Sequence, residues 1–163
     1  MITASKLAGF FAAHAIWSVS DGDTLVPMLV YTTESDERKM ERLVIQDDLG
    51  ASVAYGKRKL EANEMDANDA ALLYDGRIPL GAEKADAIII EMRASFSPGS
   101  EAILAIPYTP KASGAFKVHK PKLLEWTECE DFDVNTALQS FFAGVDEHEK
   151  GRKIWADCLD ESK

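Results

Sequence analysis

The sequence predicts an α+β fold: an antiparallel β-meander of about five or six strands, with N- and C-terminal helices packed on one face. Three observations point there. Residues 70–126 read as β-rich runs separated by short turn signals, and connections that short favour antiparallel hairpins, because a parallel return needs a longer crossover. The opening residues repeat apolar side chains at helical spacing, and the cleanest amphipathic pattern lies near the end of the chain. At 163 residues, without repeats or a linker-like tract, a single domain spanning 1–163 is expected.

Thr3 or Ser5 can cap a first helix that runs to about Ser18. Leu7, Phe10, Phe11, His14 and Trp17 recur along it and alanines fill the remainder, so this helix is apolar on most of its surface and must be buried. Ser20-Asp21-Gly22-Asp23 ends it. Thr24–Thr33 reads as the first strand, with Pro27 marking an edge or a bulge. Glu34–Glu41 reads as a solvated turn and Leu43–Gln46 as a second strand. Asp47-Asp48 then opens a second helix through about Glu64, its acids suited to the helix dipole.

In the meander, Leu72–Tyr74 and Arg77–Leu80 flank a turn at Asp75-Gly76. Ala85–Phe96 is the strongest strand. Ile88, Ile90, Met92, Ala94 and Phe96 share its covered face; Ile89, Glu91, Arg93 and Ser95 share a wetter one. Ser97-Pro98-Gly99-Ser100 turns the chain into Ala102–Thr109, and Lys111-Ala112-Ser113-Gly114 turns it into Phe116–Lys120. Lys122–Asp133 reads as an acidic connector containing Trp126. Asp133 caps the last helix, where Val134, Ala137, Leu138, Phe141, Phe142 and Val145 form the apolar stripe. Gly144 and Gly151 weaken its end, and Ile154-Trp155 adds one packed turn.

The net charge of −10 repels phosphate backbones and anionic lipid, so neither nucleic acid nor a membrane is expected as a partner. No apolar run approaches the roughly 20 residues of a membrane span. Two cysteines, Cys129 and Cys158, are too few for a disulfide framework, and no secretory signal is read, so a cytoplasmic protein is expected.

The motifs of common chemistries fail on spacing. Gly50 and Gly56 are separated by five residues and Arg58 follows Lys57, where a phosphate loop needs four residues between its glycines and a hydroxyl after the lysine. His14, His119 and His148 are scattered, and Cys129 beside Glu128, Glu130 and Asp131 reads as a solvated acidic loop, so no metal or other cofactor is expected. No Gly-x-Ser-x-Gly turn is present. His119 is the best candidate for a general base, and His14 reads as a hydrogen-bonded interior residue. Lys111, Lys117, His119, Lys120 and Lys122 form a basic segment without an acid. Its lysines are candidates for anion or partner contact, against an aggregation-resistant edge strand as the plainer reading.

The leading functional expectation is a non-enzymatic protein-binding or adaptor domain, homodimeric through the apolar first helix or a sheet edge. In size, charge and rough helix–strand order the chain is similar to the type III secretion chaperones, a likeness that carries no motif and transfers no residue. The alternative is a small-molecule-binding domain, or an enzyme of unfamiliar type, with a pocket between the first helix and the sheet. Its candidate residues are Trp17, Tyr74, Arg77, Tyr108 and His119, aromatic and polar groups beside turns.

Overall fold

The computed structural model describes residues 1–129 and 133–163. Glu130 and Asp131, two of the three acids read as a loop around Cys129, lie outside the described residues. In chain order come α1 (Ile2–Ser20), β1 (Met28–Thr32), β2 (Arg38–Arg42), α2 (Leu49–Ala62), β3 (Asp69–Leu80), β4 (Glu83–Ala94), β5 (Glu101–Thr109), β6 (Lys117–Val118), β7 (Lys122–Thr127), α3 (Val134–Glu147) and α4 (Glu149–Cys158). The strands form one antiparallel sheet in the order β2-β1-β3-β4-β5, with β6 and β7 both paired to β5. The α+β architecture is therefore as the sequence predicts. No helix among the described residues is long and apolar enough to cross a membrane.

α1 sits at the centre. One side meets β3 and β4, and the other is covered by α3 and α4. Ala4, Ala8, Ala12, Ala13, Ala15 and Ile16 are all fully buried, which explains a helix without a polar face. The apolar surplus that suggested a dimer is met within the chain by the C-terminal helices.

Three glycines make that packing close. Gly9 lies against the carbonyl of Phe141, Gly144 against that of Lys6 and Gly151 against that of Ala13; a Cβ at any of them would overlap a main-chain oxygen. Gly144 and Gly151 are thus crossing points, and a full helix, α4, follows where a single packed turn was expected. His148 separates α3 from α4 and caps the latter, its Nδ1 accepting from the Gly151 N–H at 2.9 Å.

The other face of the sheet is less wet than its sequence suggests. α2, capped by Asp48, buries Leu60 against Leu29, Leu43, Ala70 and Leu72. Glu91 beneath it is 5 % exposed; it accepts from the Tyr74 hydroxyl at 2.7 Å and pairs with Lys57 of α2 at 3.3 Å. Farther along, Ile78, Ala87, Ile89 and Ala105 form a small cluster of their own.

Four local expectations are corrected. Asp75-Gly76 is no turn: β3 runs through it, and the hairpin turns at Gly81, whose φ is +66°. Gly76 instead leaves room for Ile89 across the ladder. The strand after β1 is Arg38–Arg42 rather than Leu43–Gln46, because Met28 pairs with Arg42 and Thr32 with Arg38. Lys122–Thr127 is β7 rather than a connector; Trp126 lies opposite Ala102 and Leu123 opposite Leu104. β6 is only two residues long, and its outer side is closed by a parallel bridge from Leu159 to Val118.

The crossing glycines give the first prediction. Gly144→Ala should lower the unfolding free energy by about 2–3 kcal/mol from overpacking, although alanine alone favours a helix by about 1 kcal/mol. Gly50→Ala, at an exposed α2 position, should change it by less than about 1 kcal/mol. Urea denaturation reads both. Equal stability of the Gly144 variant would show that α1 and α3 do not touch backbone to backbone.

Candidate functional site

β2 looks unstructured in sequence because both of its faces carry charge. Paired to β1, it alternates cleanly. Lys39 and Glu41 lie opposite Tyr31 and Leu29, on the α2 side, where Glu41 pairs with Lys59 at 2.9 Å. Arg38, Met40 and Arg42 lie opposite Thr32, Val30 and Met28, on the α1 side. Arg38 sits 4.2 Å over the Phe10 ring and pairs with Glu147 of α3, which also takes Lys6 at 3.1 Å. Met40 and Arg42 face a cleft.

That cleft has a volume of about 660 Å³ and opens between the C-terminal half of α1, the 21–26 connection and the β1–β2 edge. His14, Trp17 and Ser18 line its helix side, Met28, Met40 and Arg42 its sheet side, and Asp21 and Asp23 its rim. Arg42 is exposed and has no hydrogen-bond or ion-pair partner among the described residues. Trp17 carries Lys150 of α4 at 4.8 Å over its ring.

Behind Trp17 stands a pair of histidines. His14 Nδ1 and His148 Nε2 are 3.3 Å apart. The Gly151 N–H donates to His148 Nδ1, so that nitrogen carries no proton; His148 Nε2–H must then donate to His14 Nδ1, and His14 holds its own proton on Nε2. Both rings are neutral in this arrangement. Burial lowers the pKa of each; for His14, His148 and Arg42 lower it further, and for His148, Lys150 does. Phe10 and Trp17 flank the pair at 5.1 and 5.9 Å from the His148 ring.

The five residues singled out from sequence for a ligand do not share one place. Trp17 lines this cleft. Tyr74 lies under α2 and serves Glu91; burial and that carboxylate push its hydroxyl pKa up. Arg77, Tyr108 and His119 do converge, at a polar cleft of about 280 Å³ beside the β3–β4 hairpin and the end of β5. There Tyr108 donates to Asp75 Oδ1 at 2.8 Å, and Arg77 stands 3.8 Å from Asp86. Burial raises the pKa of both Tyr108 and Asp75.

His119 is 2 % exposed. Its Nδ1–H donates to the Asp160 carbonyl at 3.1 Å, so its Nε2 accepts from the Thr109 hydroxyl at 3.0 Å. A hydroxyl on an imidazole can serve nucleophilic chemistry. Here both nitrogens are spent inside the fold, and the ring ties the C-terminal residues to β5.

The basic segment disperses. Lys111 is exposed in a 3₁₀ turn, Lys117 pairs with Asp160 at 3.6 Å, Lys120 borders an apolar groove and Lys122 begins β7. The half-buried Asp160 carboxyl is held down to about 2 by the Ser162 side chain and backbone N–H. His148, Arg42 and Met40, all near the cleft, were not read from sequence as site residues. His148's spacing from the helix pattern signals only a cap, and Arg42's orientation follows from the β1–β2 register. No group of three or more metal-ligating side chains converges among the described residues. Comparison with known proteins found no matching family model, curated protein or solved structure.

The histidine pair predicts a pH dependence of stability. Both pKa values are depressed in the folded state, so the unfolded chain takes up protons first as pH falls. The pair's contribution is complete above about 6.5 and is lost as pH drops below that value. The urea midpoint should fall between pH 7.5 and 5.5. A His14→Gln, His148→Asn double variant, in which asparagine retains the cap, should flatten that fall. An unchanged slope in the variant would assign the acid sensitivity to other groups.

Proposed function

We propose that this is a cytoplasmic ligand-binding protein, whose site is the cleft between the C-terminal half of α1 and the β1–β2 edge. The observation that carries the reading is the cleft itself. Its volume of about 660 Å³ lies within the roughly 300–1,000 Å³ range of small-molecule sites. Trp17, Met28 and Met40 offer apolar and aromatic surface, and His14, Ser18 and Arg42 offer a few polar groups. That mixture fixes a small ligand's body by contact and its orientation by hydrogen bonds. The ligand sits at a junction of three elements, so filling it stabilises α1, β2 and the connection between them together.

A fragment screen followed by amide and indole NMR tests this. Ligands should move the Trp17 indole signal, identified by its loss in Trp17→Phe, and leave those of Trp126 and Trp155 in place. Arg42→Ala should weaken binding about tenfold or more, the cost of a charged hydrogen bond, with little change in stability. Hits confined to other surfaces would refute the reading.

A second reading keeps the protein-binding class, with a second copy of the chain as partner. It is favoured by a groove of about 430 Å³ between α3, α4 and Pro121, lined by Phe142, Val145, Trp155 and Leu159. Phe142 is 38 % and Leu159 42 % exposed there. Light scattering separates the two: a dimer dissociated by Phe142→Glu supports it, and a monomer at micromolar concentration rejects it.

A further inference from the structure

We infer that the cleft takes its ligand by an oxyanion held between Arg42 and His14, and that filling it is coupled to uptake of a proton by His14. This rests on the ligand-binding reading above and names the chemistry of that ligand.

On the helix and sheet walls Arg42 and His14 are donors, while Ser18 spends its hydroxyl proton on the His14 carbonyl. Arg42 is a guanidinium without a partner among the described residues. His14 has its Nδ1 occupied by His148, which leaves Nε2–H as its remaining polar atom, also unpartnered. A guanidinium and an imidazole N–H are matched by a carboxylate, sulfate or phosphate rather than by a cation. The other charges around the pair are already accounted for. From β2, Arg38 is bound to Glu147; from α3, Glu147 also holds Lys6, and the Asp146 carbonyl holds Arg152 of α4. From α4, Lys150 lies over Trp17. Asp21 and Asp23 stand at the cleft's rim, where they suit a donor elsewhere on the same ligand.

The coupling follows from the tautomers. Without an anion, His14 has Arg42 beside it and a donor aimed at its Nδ1, and both disfavour the imidazolium. An oxyanion set against Arg42 reverses the first of these. The proton then comes from solvent and lands on Nδ1, the ring's only lone pair, in place of the His148 N–H. Two N–H groups now face each other, so His14–His148 parts as the ligand is gained. The same bond that holds His14 neutral in the empty cleft is the one that filling it breaks. By linkage, a ligand that raises the His14 pKa must bind more tightly at lower pH.

Sulfate is the probe, because its charge does not change between pH 5 and 8, with sodium chloride matching ionic strength. Long-range proton–nitrogen spectra of the imidazoles follow His14 and His148, and indole signals follow Trp17. Saturating sulfate should raise the His14 midpoint by about one pH unit, and sulfate affinity should rise about fivefold from pH 7.5 to 5.5. His14→Gln should still bind sulfate, with affinity independent of pH, and Arg42→Ala should bind it far more weakly. Sulfate that moves Trp17 but leaves the His14 midpoint in place overturns the coupling while the cleft stands as a site. Equal effects of sulfate on the Arg42→Ala variant, or none on Trp17 while fragments do bind there, overturn the oxyanion assignment. A cleft that neither sulfate nor fragments occupy overturns the ligand-binding reading, and this one with it.

Discussion

The structure depends on the burial of α1 from every side. A helix apolar all round has no stable place on one face of a sheet, since half of it would remain in water. Here the sheet covers one side and the α3–α4 pair the other. Because α1 is rich in alanine, its neighbours can approach until backbones touch, and Gly9, Gly144 and Gly151 mark where they do. The glycines weaken the helices they sit in, and close packing over three crossings offsets that loss. The last two helices are therefore part of the core and not an appendage to it.

The cleft is a by-product of the same arrangement. Covering α1 with two helices rather than one introduces a break, and the residue at the break is His148. Its ring caps α4 with one nitrogen and reaches His14 with the other. On the far side, β2 is an edge strand whose α1-facing residues lie alongside Phe10 and the C-terminal half of the helix instead of in the core. Arg38 closes down on Phe10 and Glu147, and Arg42, four residues farther along the strand, has nothing of that kind to meet. A salt-bridged arginine and an unpartnered one on the same strand face thus arise from how far each lies from α3.

Legibility divided along burial. The apolar stripe of α3 apart from the exposed Phe142, the opening of α2 at Asp48, the Asp133 cap and the alternation of Ile88, Ile90 and Met92 are local signals with one physical meaning, and they read correctly. β2 and β7 failed for the opposite reason: edge strands are half solvated, so Arg38–Arg42 and Lys122–Thr127 show charge where a core strand shows an apolar side. Asp75-Gly76 carries a turn's composition, yet Asp75 is there to accept from Tyr108 and Gly76 to admit Ile89, partners more than ten residues away. Of the site, Trp17 was visible as an aromatic group beside the Ser20-Asp21-Gly22-Asp23 turn. Arg42 and His148 come from β2 and from the helix break, and no local pattern joins residues so far apart in the chain.

Charge gives the cleft its character against the background of the molecule. A chain with a net charge of −10 surrounds itself with negative potential, which ordinarily turns anions away. Around the histidine pair cations are concentrated: Arg38 and Lys6 share Glu147, Lys150 lies over Trp17 and Arg42 acts on His14, with Asp21 and Asp23 kept to the cleft's rim. Screening confines the repulsion of distant acids to about 8 Å at physiological ionic strength, so a ligand inside the cleft feels the local cations more than the global sign. The two histidines stay neutral in that field because of burial and because each already has a use for its lone pair. An incoming negative charge changes the balance at His14 alone, since His148 has committed its Nδ1 to the Gly151 N–H. The asymmetry between two chemically identical side chains therefore comes from a backbone cap, and it decides which ring can take the proton.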